Sequence, residues 1–402
     1  MAFYQIGSRR LRSEDPSLAE ILAGIHRTKT RPLCLCRDGG VEMYVAKVHG
    51  KFVIKRMPDT GSTHSPACDS YEPPAELSGL GQVSGSAIQE NPDEGTTALK
   101  LDFSLTKVPG RSAPPAGDGE GGSSVRTDGN KLTLRGTLHY LWEEAGFHRW
   151  APSMTGKRNW YVIRKYLLQA ASDKTAKGAD LADILFIPET FSPDKAAEIG
   201  QRRVAQVGRI AAPAKGTRRL MLVIGEVKEI APSRYGHKIV LKHLPDWHFM
   251  LNDDIHKRLQ KRFETELGLW DALDGTRLVM IGTFGVGSTG VATLEEAALM
   301  AVTENWIPFE SLYDKMVLDA LTTGQRRYAK GLRYNLQASR PLACAVVTDT
   351  APEPTALYIH PPGAGEEYLA AAKSLMADSR LAPWVWDAGS GEMPALPARP
   401  QS

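Results

Sequence analysis

Three of the four cysteines of this chain lie between residues 34 and 68, and a histidine lies among them. Cys34 and Cys36 form a Cys-x-Cys pair, and residues 37–63 separate this pair from a His-x-x-x-Cys pair, His64 and Cys68. Thiolate and imidazole are ligands that Zn²⁺ favours, and four of them complete its tetrahedron. The pattern therefore predicts a structural Zn²⁺ site, and the alternative interpretation is three buried thiols beside an unrelated histidine.

A β-hairpin is predicted in the insert that separates the two ligand pairs. Two alternating apolar stretches, VEMYVAKV and KFVIKRM, flank a turn at His49 and Gly50. A hairpin brings its two ends together, so the two ligand pairs can meet at one ion. We expect the ion to stabilise a region that has too few strands to fold unaided.

Composition excludes several classes of protein. Four cysteines in 402 residues do not form a disulfide-rich scaffold, and Cys344, which lies in an apolar strand-like stretch, is interpreted as a buried thiol. No apolar run reaches the roughly 18 residues of a membrane-spanning helix, and the N-terminus lacks the apolar core of a signal peptide. These features predict a cytoplasmic protein without a membrane partner.

The order of apolar patterns predicts an α/β (α+β) multidomain protein. Strand-like alternation dominates before residue 108, helical spacing dominates after residue 130, and strands return after residue 218. The stretch between the first two is rich in Pro, Gly and Ser, which is typical of a flexible linker. The predicted parts are a zinc-binding β-rich module at 1–107, the linker at 108–130, a basic helical module at 131–218, an α/β module at 219–308, a restriction-endonuclease-like αβββαβ domain at 309–388 and a disordered tail at 389–402.

Positive charge is concentrated in the middle of the chain. Residues 131–220 contain 16 Lys and Arg against 8 Asp and Glu, whereas the whole chain has a formal net charge of only +3. Cations interleaved with aromatic rings suit phosphate contacts and base stacking, and a solvated basic face with buried aromatics is the alternative interpretation. The candidate nucleic-acid-binding residues are Lys157, Arg158, Trp160, Arg164, Lys165, Arg202, Arg203 and Arg209.

The predicted domain at 309–388 has the element order of a restriction-endonuclease-like core. Active members of that fold hold a divalent metal with an acidic residue on the second strand and a Glu-x-Lys on the third. Asp349 ends the second predicted strand, but the third contains YIH at 358–360 and offers neither a carboxylate nor a lysine. Asp349 is therefore a vestigial catalytic candidate, and an active nuclease would need displaced acids such as Glu226 or Glu310.

Segments along most of the chain carry a resemblance to a known family. They are RPLCLCRDGGVEMYVAKV, HSPACDSYEPPAELSGLG, NKLTLRGTLHYLWEEAGF, KHLPDWHFMLNDD and RRYAKGLRYN with AVVTDT. Together they resemble a bacterial family of domains of unknown function, numbered 1173. Its members look like cargo of plasmids and integrative elements, which implies a link to DNA maintenance or transfer. The family brings no established activity and no catalytic residues to this chain.

These observations support three functional hypotheses. The leading one is a non-enzymatic protein of a mobile element, in which the zinc-binding module and the basic helices position DNA or RNA. The second is a metal-dependent nuclease with a displaced active site. The third is an adaptor that binds other proteins of a plasmid or integrative element through its basic segment.

Overall fold

The computed structural model describes residues 2–48, 50–108, 129–210 and 217–400. The predicted turn residue His49 and most of the predicted linker lie outside these ranges. Within them the chain has a mixed α/β fold, in which the central helices and two of the sheets share one large apolar core. No helix in these ranges combines the length and the apolar composition needed to cross a lipid bilayer.

The N-terminal sheet contains the predicted hairpin. Its elements are β1 (Phe3–Ile6), β2 (Arg9–Arg12), α1 (Leu18–Ile25), β3 (Leu33–Cys34), β4 (Val41–Val48) and β5 (Lys51–Arg56), and the sheet order is β2-β1-β3-β4-β5. β4 and β5 pair antiparallel over six residue pairs, as the alternation of apolar residues predicts. α1 is amphipathic, and it buries Leu22 in a small cluster with Ile6, Leu11 and Val45.

The middle of the chain contains the predicted helices and several strands that the sequence does not reveal. The elements are α2 (Leu80–Val83), β6 (Ile88–Asn91), β7 (Thr96–Leu99), β8 (Thr106–Lys107), α3 (Leu134–Glu144), β9 (Arg149–Trp150), α4 (Trp160–Ala171), β10 (Lys174–Ala176), β11 (Ala179–Asp180), α5 (Leu181–Ile184), β12 (Leu185–Phe186) and α6 (Ala196–Val207). The side chains of Thr133 and Asn159 cap α3 and α4, and Gly146, with a φ of 74°, follows α3.

The strands after residue 217 form a closed sheet. Its elements are β13 (Arg218–Arg219), which pairs with β8 instead, then β14 (Met221–Ser233), β15 (Gly236–Leu241), β16 (Leu244–Leu251), α7 (Asp253–Arg262), α8 (Glu264–Ala272), β17 (Arg277–Val286) and β18 (Ala292–Val302). β14 pairs with both β15 and β17, so the hydrogen-bonded order β14-β15-β16-β18-β17 returns to β14. β16 and β18 are parallel, and two helices connect β16 to β17.

This strand order identifies a five-stranded barrel of OB-fold topology. Numbered within the barrel, the order is 1-2-3-5-4-1, with the helices between the third and fourth strands. The first strand, β14, pairs with β17 through residues 221–226 and with β15 through residues 227–233, and its register with β15 shifts between Val227 and Glu229. At Gly225 a Cβ atom would lie 2.5 Å from the Leu241 side chain, so this curved strand requires glycine where it crosses β15.

The last sheet has the predicted element order of helix, three strands, helix and strand. Its elements are α9 (Leu312–Thr323), β19 (Tyr328–Lys330), β20 (Ala345–Val347), β21 (Thr355–His360), α10 (Glu366–Asp378) and β22 (Ala382–Asp387), and the sheet order is β22-β21-β20-β19-β9. β21 and β22 are parallel. The fifth strand is β9, which comes from the middle of the chain.

Strand pairings cross most of the module boundaries predicted from the sequence. β9 pairs with β19, β10 pairs with β7, β12 pairs with β14, and β8 pairs with β13. The segment at 131–218 is therefore not purely helical, because its short strands pair with strands of other segments in three sheets.

The residues after Asp387 lie against the last sheet, where the sequence predicts a disordered tail. The indole N–H groups of Trp384 and Trp386 donate to the carbonyls of Ala395 (2.9 Å) and Gly391 (3.1 Å). Met393 and Leu396 pack against the apolar core of that sheet. Two tryptophans thus supply partners for the described part of the tail that a count of Gly and Pro cannot reveal.

Candidate metal centre and nucleic-acid surface

The four predicted zinc ligands lie together at the base of the β4–β5 hairpin. Cys34 ends β3, and Cys36 follows two residues later. His64 follows the 3-10 turn Gly61–Thr63, and Cys68 lies in the next loop. The His64 and Cys34 side chains are buried, with exposures of 0% and 1%. The hairpin therefore brings the two ligand pairs together, as its position in the sequence predicts.

The distances within this cluster fit a single tetrahedral metal ion. The four candidate ligand atoms all lie within 4.8 Å of one another. The Cys34 and Cys68 sulfurs are 3.7 Å apart, and His64 Nδ1 lies 3.3 Å from Cys36 Sγ and 3.9 Å from Cys68 Sγ. Metal bonds of about 2.3 Å to sulfur and about 2.1 Å to nitrogen require edges of about 3.6 to 3.8 Å in a tetrahedron. The four residues can therefore hold a metal ion.

Two of the four candidate ligand atoms are sulfurs that accept hydrogen bonds from the backbone. The backbone N–H of Ser65 donates to Cys36 Sγ and that of Ser70 donates to Cys68 Sγ, each at 3.4 Å. Burial nevertheless raises the pKa of the Cys34 thiol to about 12 and also raises the pKa of Cys68. A bound cation would supply the positive charge that converts these thiols into thiolates. Burial lowers the pKa of His64, which favours the neutral imidazole that a metal requires.

A second cluster, Glu72, Glu143 and His148, also has the spacing of a metal site. Its groups already have protein partners: Glu72 accepts from His148 Nε2 at 3.1 Å and forms ion pairs with Arg56 and Arg149. Glu143 accepts a hydrogen bond from the hydroxyl of a buried tyrosine at 2.7 Å. Two guanidinium groups beside the carboxylates oppose a metal cation, so we interpret this cluster as a buried ion-pair network.

The carboxylates considered for nuclease chemistry do not converge. Asp349 accepts from Arg326 Nε at 2.9 Å and from the backbone N–H of Arg327 at 3.0 Å. Glu226 is paired with cations of the barrel, and Glu310 is paired with an arginine that follows β19. Among the described residues, neither metal-capable cluster contains any of these three acids. The structure therefore gives the nuclease hypothesis no supporting geometry.

Most of the candidate nucleic-acid-binding residues have partners within the protein. Trp160 is 3% exposed, donates to the carbonyl of Pro188 at 2.8 Å and cannot stack on a base. Arg158 donates to the carbonyls of Phe147 and Asn305, and burial lowers its pKa to about 10. The others with such partners are Arg164, with the carbonyl of Ile187, Arg202 with Glu189, Arg203 with Asp246, and Arg209 with Asp183 at 3.5 Å.

Lys157 and Lys165 are the two candidates that remain exposed without a carboxylate partner among the described residues. Tyr161, one helical turn before Lys165 on α4, is 65% exposed. Lys165 also lies over the ring of Tyr166, with Nζ 5.2 Å from the ring centroid. This short surface retains the combination of cations and aromatic rings that the sequence predicts, although with fewer residues.

Sequence reasoning missed a second surface of this kind, at the turn between β14 and β15. Tyr235 is 75% exposed there, and the guanidinium carbon of Arg234 lies 5.2 Å from its ring centroid. Lys238 follows on β15. The turn lies outside the basic segment at 131–220, so a search based on net charge passes over it. The available signal was the Ser-Arg-Tyr-Gly sequence of a hairpin turn with a large aromatic residue at its tip.

Comparison with known protein families supports the resemblance in the sequence. The model of the family described as "Protein of unknown function (DUF1173)" matches residues 4–389. No curated protein and no solved structure matches the chain. The matched range includes the four-residue metal cluster, the barrel and the last sheet. The chain therefore belongs to the DUF1173 family of proteins of unknown function.

Proposed function

We propose that this chain is a zinc-stabilised protein that binds single-stranded nucleic acid through its barrel. The observation that carries the proposal is the OB-fold strand order together with an exposed aromatic and cationic turn between the first two strands. Barrels of this topology bind oligonucleotides with the face of strands two and three and with the loops that flank it. In this chain those strands are β15 and β16.

The chemistry of the turn supports binding without strong sequence preference. Tyr235 offers a flat ring to a base, and Arg234 and Lys238 offer cations to neighbouring phosphates. Stacking of a base on an aromatic side chain contributes roughly 1–3 kcal/mol and tolerates any base. Single strands expose their bases, whereas a duplex hides them, so we expect preference for single-stranded DNA or RNA.

Zinc is the metal that best fits the four-residue cluster. Three thiolates and one imidazole form a Cys₃His set, which is a common structural zinc set with no position left for substrate. Soft sulfur ligands disfavour Mg²⁺ and Ca²⁺. The metal would hold β3 against the loop that carries Cys68, and would stabilise the N-terminal sheet without taking part in catalysis.

Fluorescence anisotropy with labelled single-stranded and duplex oligonucleotides tests the proposed activity. We expect Tyr235→Ala to weaken single-strand binding about tenfold or more, which corresponds to the loss of one stacked base. Affinity should also fall steeply with salt, because phosphate contacts release counterions. Tyr161→Ala is the matched control, since Tyr161 is a similarly exposed tyrosine on the other candidate surface.

The two tyrosine variants separate the competing surfaces. Loss of binding in Tyr161→Ala but not in Tyr235→Ala would assign binding to α4 with Lys157 and Lys165, and would contradict the barrel proposal. Equal affinity of the unmodified protein for single strands at low and high salt would contradict nucleic-acid binding through phosphates. A protein that binds no oligonucleotide, but retains a partner in pull-downs after nuclease treatment, would favour the adaptor hypothesis.

A further inference from the structure

The chain after β22 contains a three-residue repeat in the part we call the tail segment, residues 391–400. Residues 393–400 have the sequence MPALPARP, in which an apolar or basic residue precedes each proline. Proline fixes its own φ near −65° and restricts the residue before it to extended backbone, so this sequence favours the polyproline II conformation. That conformation has three residues per turn, which places every third side chain on one face.

The side chains that hold the tail segment to the protein recur at this period of three. Met393 and Leu396 are half-buried and pack against the core of the last sheet, whereas the two residues between them are exposed. The next member of the series, Arg399, donates from Nη2 to the carbonyl of Gly324 at 2.9 Å. The segment forms neither helix nor strand. It therefore presents one face to the protein, as a ligand in the polyproline II conformation does.

The groove under the tail segment is lined by aromatic rings whose N–H groups donate to the main chain of the segment. Trp384 Nε1 donates to the carbonyl of Ala395 at 2.9 Å, and Trp386 Nε1 donates to that of Gly391 at 3.1 Å. The ring of Tyr313 packs edge-on against Trp386, with the centroids 5.5 Å apart. Grooves that recognise proline-rich segments are lined by aromatic side chains in this way.

Acceptors for a cation lie at the far end of this groove. Asp349 Oδ2 is 3.5 Å from Nε of Arg399, close to the carbonyl of Gly324 that the same guanidinium contacts. Arg326 pairs with Asp349 and also donates to the carbonyl of Pro397. The groove thus offers apolar contacts first and acceptors for a cation last, in the order in which the segment presents two apolar residues and then an arginine.

Two observations mark the tail segment as a ligand that can be exchanged. It contributes no strand to any sheet of the described residues, and the side chains it adds to the apolar core of the last sheet are Met393 and Leu396. The family model matches the chain as far as residue 389, so the groove lies within the matched range and the tail segment lies outside it. The segment can therefore leave the groove without removing any strand or helix.

We propose that this groove recognises extended proline-rich segments and that the tail segment is its intramolecular ligand. The partner is a segment of another protein in which apolar residues precede two successive prolines and a cation follows three residues later, because that order fits the rings and acceptors of the groove. Such a segment binds by displacing the tail segment. The short tether gives the tail segment an effective concentration on the order of millimolar, so a weak ligand is excluded. This inference depends neither on nucleic-acid binding nor on zinc.

Fluorescence anisotropy with a labelled peptide of residues 389–400 tests the groove, with the full chain as the receptor. We expect weak binding to the unmodified chain, because its own tail segment competes. The double variant Met393→Asp with Leu396→Asp removes both apolar contacts of the tail segment and should strengthen peptide binding at least tenfold. A peptide of the same composition in scrambled order should bind that variant at least tenfold more weakly, which separates recognition from adhesion to a disturbed fold.

Trp384→Phe, added to the double variant, tests the hydrogen bond that the groove donates. It keeps an aromatic ring but removes the N–H group, and should weaken peptide binding about fivefold, as expected for one lost hydrogen bond. Trp247→Phe is the matched control, since Trp247 Nε1 donates to the carbonyl of Gly290 in the barrel at 3.0 Å, and it should leave peptide binding unchanged. Equal binding by the unmodified chain and the double variant, or no effect of Trp384→Phe, would overturn the proposal.

Sedimentation of the unmodified chain distinguishes a partner protein from a second copy of this chain. We expect one species over a hundredfold range of concentration, because each tail segment fills its own groove. Dimers that form as concentration rises, and that the double variant does not form, would show that the tail segment of a second copy fills the groove. That result would overturn the assignment of the groove to another protein.

Discussion

Buried charged side chains in this molecule join segments that are far apart in the sequence. Glu72, next to the metal cluster, pairs with His148, which lies between α3 and β9, and with Arg149 at the start of β9. Lys174 is fully buried between Asp173 and a glutamate of α3. A buried ion is costly to leave alone, so each partner fixes the position of the other. These pairs join the loop after Cys68 and the strand β10 to α3 and the segment that follows it.

The metal cluster gives the first prediction at the scale of single residues. Cys68→Ser should reduce bound zinc from about one ion per chain to below about half, because one of the four ligands is lost. Mass spectrometry under native conditions and elemental analysis measure this ratio. Cys344→Ser is the matched control, since Cys344 is buried in the last sheet and should not change the zinc content. Equal zinc in both variants would refute the assignment.

His139 predicts a specific dependence of stability on pH. Its pKa is lowered to about 3 in the folded protein from an ordinary value of 6.5, so below pH 6.5 only the unfolded chain takes up the proton. Its contribution to the free energy of unfolding is therefore complete above pH 6.5 and decreases by about 1.4 kcal/mol per unit as pH falls toward 3.

Urea unfolding between pH 6.5 and 5 tests this effect, because the lowered pKa of Glu310, about 2, matters only below its ordinary value of 4.5. Burial raises the pKa of Asp102 to about 6, which opposes the slope in this range, so the comparison with a variant is needed. Other histidines with lowered pKa values, such as His243, add to the slope. His139→Gln should therefore reduce the slope without removing it. An identical slope in the variant would show that His139 does not resist protonation.

At the scale of elements, the segment Arg326–Asn335 joins three regions of the molecule. Its polar side chains pair in turn with acids and carbonyls of the last sheet, of α9 and of α3. These pairs are Arg326 with Asp349, Lys330 with Asp314, Arg333 with Glu310, Tyr334 with Glu143 and Asn335 with the carbonyl of Lys131. The segment is part of the RRYAKGLRYN resemblance, and its side chains account physically for that pattern.

A substitution of Lys330 tests whether the buried ion pairs of this segment stabilise the fold. Lys330→Met should lower the free energy of unfolding by about 3–5 kcal/mol, because Asp314 would remain buried without its cation. Chemical unfolding monitored by tryptophan fluorescence measures the change. The double variant Lys330→Met with Asp314→Leu removes both charges and should regain a large part of the loss. A double variant less stable than Lys330→Met would show that the pair is not the source of the effect.

The sequence predicts the elements whose apolar spacing extends over several turns or residue pairs. α3, α4, the β4–β5 hairpin and the element order of the last sheet were all recognisable in this way. Strands of two or three residues, such as β9 and β10, contain too few side chains to show an alternation. β16 contains Pro245, Trp247 and His248, which obscure its period. The closure of the barrel depends on pairing between β14 and β17, which no local pattern records.

The candidate sites also differ in how far the sequence predicts them. The cluster of Cys34, Cys36, His64 and Cys68, which could hold a metal ion, is predictable because cysteine is rare in this chain and a hairpin separates the two pairs. The basic candidates were less predictable, because net charge does not show which cations have acidic partners. Arg202 and Arg203 are examples, each paired with a carboxylate from another element.

At the scale of the whole molecule, the shared sheets predict one cooperative unfolding transition. β9, β10 and β12 pair with strands that belong to other predicted modules, so every one of these modules shares a sheet with another. Calorimetry of the zinc-loaded chain should show a single transition, and near-ultraviolet circular dichroism should follow it at the same temperature. A fragment of residues 131–308 should show no cooperative transition of its own. Two separated transitions, or a folded fragment, would contradict this expectation.

Removal of a bound metal tests whether the N-terminal sheet unfolds together with the rest of the chain. Glu72 joins the loop after Cys68 to α3 and β9, so loosening of that loop should reach the central helices. Treatment with a strong chelator should lower the midpoint of the whole transition, and added Zn²⁺ should restore it. A chelator that lowers only a minor transition, and leaves the main one unchanged, would show that the N-terminal sheet unfolds independently.

The pairing of β9 with β19 has a consequence for how such a protein can evolve. The two strands are separated by almost half of the chain, yet Tyr328 lies opposite Trp150 in one sheet. A recombination event between two diverged relatives anywhere between these positions would unite strands that were not selected together. Lineages of this protein should therefore diversify by substitution within an intact gene rather than by exchange of parts, and chimaeras of distant members should be recovered rarely.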